Sequence, residues 1–152
     1  MKFLSSKCKK DCYTYSTIFE QESDRIAQLM QEQVSLIKNG NIAYNSYLSD
    51  NRDETLNELK EIILRLREIR NIILNKIDDY EDFISCCKGK KNKDMDLLVA
   101  YYLEAGSKRE EEFLKEISNA INTKDDLFNL RSLVIKIKSN KDLAYEDDNK
   151  RI

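Results

Sequence analysis

Four cysteines come closest to chemistry by type and spacing. Cys8 and Cys12 stand four positions apart, and Cys86 and Cys87 are adjacent. A tetrathiolate zinc site uses two C-x2-4-C pairs. The first pair meets that spacing, the vicinal pair is poorly shaped for it, and the chain has no histidine to complete a mixed site. The residues therefore point to free thiols in a reducing compartment, with no metal and no other cofactor.

The acidic run Asp78, Asp79, Glu81 and Asp82 is the next candidate. Asp78 and Asp82 would share a helix face, but a hard cation needs several convergent oxygens, and no second carboxylate-bearing helix is evident. A solvated face is the expectation. The absence of histidine also removes His-based nucleophilic triads and the Glu-x-x-His motif of di-iron bundles. Neither phosphate-cradling glycine motif occurs. No enzyme is expected.

Lysines crowd two places, Lys2 to Lys10 and Lys88 to Lys93. Tyrosines cluster elsewhere, at Tyr44, Tyr47, Tyr101 and Tyr102. A reader of single-stranded nucleic acid interleaves the two residue types on one face. Here they are separate, and the net charge of -2 supplies no global attraction. Binding to nucleic acid through the Lys clusters is therefore the second reading, not the first.

These residues must be positioned by helices. The 152 residues include no proline and three glycines, too few for the many turns of a β fold. From Tyr15, apolar residues recur at Phe19, Ile26, Leu29 and Leu36, widened by Ile18, Met30 and Ile37. Glu22 and Gln33 interrupt that stripe. Asn39-Gly40-Asn41 reads as a helix stop. The strongest periodicity follows: Leu48, Arg52, Thr55, Leu59, Ile62, Leu66, Ile69 and Ile73 alternate spacings of four and three. A second row, Leu56, Ile63, Ile77 and Ile84, lies beside it. Two rows suit a helix packed by two neighbours. Glu61 and Arg65 are placed for an i,i+4 pair on its wet side.

Cys86 to Lys93 reads as a polar loop, with a third helix opening near Asp94. That helix carries Leu97, Leu98, Tyr101, Tyr102, Phe113, Leu114, Ile117 and Ile121. Gly106 interrupts it, and Ser107 to Glu110 reads as a capping box. Thr123 reads as another N-cap. The helix after it has a one-sided stripe of Leu127, Leu130, Leu133, Val134 and Ile137, the expected partner-binding residues.

The succession of Glu32, Leu36, Asn39-Gly40-Asn41, Leu48, Arg52, Leu56, Leu59 and then Arg67 or Arg70 resembles FlgN-type flagellar export chaperones. That family continues to a third amphipathic helix, matched here by Leu127 to Ile137. The resemblance implies a cytoplasmic protein that holds a flagellar junction subunit and delivers it for export. The Cys-bearing leader and the Cys-Cys loop lie outside the family pattern.

The sequence thus predicts an all-α fold, an antiparallel bundle of three to four helices with a long central helix. Residues 1–13 form a basic leader, 14–140 the bundle domain and 141–152 a charged tail. No apolar run approaches the ~18 residues of a membrane span. Phe3-Leu4 is too short for a signal peptide, and Lys7 excludes a lipoprotein cysteine at position 8. A cytoplasmic location follows. The expected partner is another protein, a client or assembly partner, with homo-oligomerisation left open. A structural coiled-coil oligomer of phage or viral origin is the remaining alternative.

Overall fold

Asp11 starts the first helix. Its carboxylate accepts the Thr14 backbone N–H at 2.8 Å, and that bond holds its pKa below the usual carboxylate value. In the computed structural model, which describes residues 10–88 and 90–121, helix α1 then runs unbroken over Cys12–Asp50. It ends at Asn51, whose φ of 53° is left-handed, a conformation that asparagine tolerates better than most residues. Asp50 organises the turn by accepting from the Arg52 backbone N–H and side chain at 3.1 Å each, and from the Thr55 hydroxyl at 3.4 Å. Helix α2 spans Asp53–Cys86, with Asp53 and Glu54 in its first turn, where the helix dipole favours negative charge.

The two long helices form a hairpin. Cys12 meets Cys87, Glu22 meets Lys76 and Glu32 meets Arg65, so the contacts run in opposite sequence directions. Asn92 caps α3, Lys93–Tyr101, by accepting from the Met95 N–H at 2.9 Å. A five-residue π-helical segment, Tyr102–Gly106, leads directly into α4, Ser107–Ala120. Among the described residues every element is helical and none is a strand. None of these helices is long and apolar enough to cross a membrane.

The heptad seam is the core of α2: Thr55, Leu59, Ile62, Leu66, Ile69 and Ile73 are all buried. Its first two members are not, because Leu48 is exposed on α1 and Arg52 is exposed at the turn. The core has two parts. One gathers Tyr15, Phe19, Tyr80 and Phe83 around the disulfide end, with Phe19 and Tyr80 edge to face at 5.2 Å. The other gathers Ile37, Leu59, Leu66, Phe113 and Ile117 toward the hairpin turn.

Four sequence expectations are corrected. Asn39-Gly40-Asn41 does not stop α1, because Gly40 serves a close helix approach instead. A Cβ there would lie 2.4 Å from Cζ of the buried Phe113 ring. Gly40→Val should therefore destabilise the fold by about 1–3 kcal/mol, the usual cost of overpacking, readable by urea melting. Ser107 to Glu110 is not a capping box: Ser107 is helical, its hydroxyl donates back to the Leu103 carbonyl at 3.1 Å, and Glu110 points inward to Arg70. Arg65 does not pair with Glu61. It reaches across to Glu32 at 2.6 and 2.8 Å and along its own helix to Glu68 at 3.0 Å. A bidentate interhelical partner outcompetes a single i,i+4 contact, and it holds the Glu32 carboxyl below its usual range.

The fourth correction is chemical. The cysteines are not free thiols. Cys12 and Cys87 form a disulfide with their Cα atoms 5.7 Å apart, Cys86 is also disulfide-bonded, and none of the cysteines among the described residues is free. The bonded pair joins the start of α1 to the residue after α2, separated by 75 positions.

Candidate functional site

Two places in the described structure carry more than packing: a groove on the hairpin and a polar layer inside it. The groove runs between α1 and α2. Leu36, Asn39 and Ile42 line one wall and Glu58, Glu61 and Ile62 the other, enclosing about 340 Å³. Ile42 is 59% exposed there, on a helix whose other Ile residues are buried or half-buried. Arg65 is engaged by Glu32 and Glu68, and Glu61 lines the groove rim apart from it. Neither Glu58 nor Glu61 has an ion-pair partner among the described residues. The result is an apolar floor with an acidic edge.

A second shallow groove, about 310 Å³, lies where α3 crosses α1. Ala27, Leu97 and Leu98 give it apolar surface, and Asp24 and Asp94 again give it an acidic rim. Leu97 is 69% exposed. Tyr101, on the same helix, is exposed as well.

The polar layer lies deeper. Arg70 and Glu110 are each 1% exposed, with Nη1 and Oε2 3.5 Å apart. Gln33 donates from Nε2 to the Gly106 carbonyl at 3.2 Å. Tyr102 is fully buried beside them. Several of their atoms find no partner: Gln33 Oε1, Arg70 Nε and Nη2, Tyr102 Oη and Glu110 Oε1. Burial pushes the Glu110 carboxyl up to about 7, and the single 3.5 Å contact with Arg70 does not offset it. Burial, and then the Glu110 charge, raise the Tyr102 hydroxyl as well. Gln33 lies between Met30 and Ile37, and Arg70 between Leu66 and Ile73. The layer therefore crosses the bundle where its two apolar clusters meet.

The residues that sequence reasoning placed in a partner-binding stripe, Leu127, Leu130, Leu133, Val134 and Ile137, lie outside the described residues, as does their cap Thr123. Neither groove nor polar layer was foreseen. Gln33 was visible as an interruption of the α1 stripe. Glu110 was hidden by its fit to a capping pattern, and Arg70 was read only as one of two arginines, Arg67 or Arg70, in the family-like succession. The sequence holds no signal for the groove, which exists only where two helices meet.

No protein-family model matches the chain, no curated protein matches it, and no solved structure matches it.

Proposed function

We propose that this chain is a non-enzymatic, protein-binding protein built as an antiparallel helical bundle, and that its partner presents a basic amphipathic helix. The groove carries this reading. A helix with apolar residues on one face fits a floor of Leu36, Ile42 and Ile62, and lysines or arginines flanking that face meet Glu58 and Glu61.

The compartment follows from the cysteines. Disulfides persist where the environment is oxidising and are rare in the cytosol. The bonded Cys12–Cys87 pair supports an oxidising compartment over the cytoplasmic location read from sequence. It also weighs against the FlgN-type export-chaperone role, which requires the cytoplasm. That role, with the stripe from Leu127 to Ile137 holding a client, is the second reading, resting on the sequence pattern of 30–70. Nucleic-acid binding and a structural coiled-coil oligomer rank below both. An acidic groove rim repels phosphate, and neither groove is flat enough to serve as a heptad seam.

The test is capture of partners from the native host on the immobilised protein, followed by measurement of affinity for whatever is identified. Glu58→Lys with Glu61→Lys should weaken binding at least tenfold at low salt while helical content and melting stay unchanged. Leu130→Ser with Val134→Ser should weaken it instead if the terminal stripe is the contact. Binding unchanged by either pair would remove both surfaces from consideration.

A further inference from the structure

The π-helical segment sits beside the buried layer, and the two make sense together. A π turn costs hydrogen-bond quality and is found mostly at functional positions. Here Tyr102 opens it and Gly106 closes it. Gly106 lends its carbonyl to Gln33 of α1, and a Cβ on it would come within 3.0 Å of the Tyr102 ring. The extra residue of the turn resets the helix phase, so that Glu110, one turn beyond, faces Arg70 of α2. The segment α4 is thus held to the hairpin at its start by polar groups and farther on by Phe113, Leu114 and Ile117.

We propose that Gln33, Arg70, Tyr102 and Glu110 form a proton-gated latch: α4 is held against the α1–α2 hairpin while Glu110 carries a proton, and swings more freely about the π turn once that proton leaves. The groups facing Glu110 are few. Arg70 faces it from α2 and Tyr102 from the π segment, while α1 contributes the neutral amide of Gln33. Among the described residues no second carboxylate shares the layer. The Tyr102 hydroxyl is raised further above neutrality, so among these described groups Glu110 is the one whose charge the latch turns on.

The direction follows from linkage. When α4 is lifted, Glu110 meets water and returns to its ordinary value of 4.5; when packed, it stands at about 7. Between those values the packed form binds the extra proton, so packing is favoured on the acid side. The advantage fades as pH rises through about 7 and is gone above it. From pH ~6 to pH ~8 the opening equilibrium of α4 should rise about tenfold. Lifting α4 would bare Ile37, Leu59 and Leu66, an apolar surface distinct from the groove proposed above. The latch stands or falls independently of that groove.

Amide hydrogen exchange on the whole oxidised chain reads this out. After correction for intrinsic exchange, protection of the Phe113 to Ile117 amides should fall about tenfold between pH ~6 and pH ~8 relative to the Leu59 to Ile73 amides. In Glu110→Gln the ratio should no longer change with pH. Equal protection at both pH values in the wild type, or a pH dependence that survives Glu110→Gln, overturns the latch. If the variant fails to fold, carbon-detected NMR titration of the wild-type Glu110 carboxyl decides: a midpoint near neutrality supports the latch, and one in the ordinary glutamate range refutes it.

Discussion

Removal of the Cys12–Cys87 bond together with the bond at Cys86, as Cys12→Ser, Cys86→Ser and Cys87→Ala, should lower folding stability by about 4 kcal/mol. The bond closes a loop of 75 positions, and a cross-link of that span strips a large share of conformational freedom from the unfolded chain. The folded state loses little by comparison, because Cys12 is half-buried at the first turn of α1 and Cys87 packs beside Phe83 and Met95 in the aromatic cluster. Denaturant unfolding of the oxidised wild type and the triple variant gives the difference directly. The same bond makes a chemical forecast opposite to that of free thiols. In denaturant without reductant, a thiol reagent should label none of Cys12, Cys86 and Cys87, and after reduction it should label all three. Ready labelling of unreduced protein, with a triple variant as stable as the wild type, would overturn the oxidised state and favour the cytoplasmic reading.

Leu66→Ala should cost about 2–5 kcal/mol. Leu66 is 1% exposed and sits in the cluster where α1, α2 and α4 converge, with Leu59, Ile63 and Phe113 around it. Helices crowd this position from two sides, so the cavity left by truncation cannot close by moving one neighbour. Loss of the buried methyls and the residual void therefore add. Leu64 supplies the control. It lies on the same helix two residues away but is 43% exposed, and Leu64→Ala should cost less than about 0.5 kcal/mol. Equal effects at the two positions in chemical denaturation would mean that the seam does not face the core. The contrast tests helix phase rather than hydrophobicity, since the side chains are identical.

Sequence periodicity alone settled that this chain is helical and which face of α2 is buried. Spacings of four and three place Leu59, Ile62, Leu66, Ile69 and Ile73 on one side of a helix whatever surrounds it, and all five are buried. The α2 boundaries, Asp53 and Cys86, also lie within two residues of Arg52 and Ile84, the ends of the apolar pattern on that helix, because the flanking residues are polar. Tertiary contact decided the rest. Gly40 is a helix stop by its own preferences, yet a phenylalanine from α4 turned its missing side chain into a packing site. Arg65 had a partner four residues away and took one from another helix that could bind both its nitrogens. Glu110 fits a cap that exposes it, but the π turn before it rotated it inward against Arg70. The cysteines of α1 and of the α2 end are far apart in sequence, and only the antiparallel hairpin brings Cys12 and Cys87 to 5.7 Å. Propensity and periodicity act over a few residues, so they fix elements and faces. Pairings, grooves and buried charges depend on which distant residue arrives opposite, and that is settled only when the helices pack.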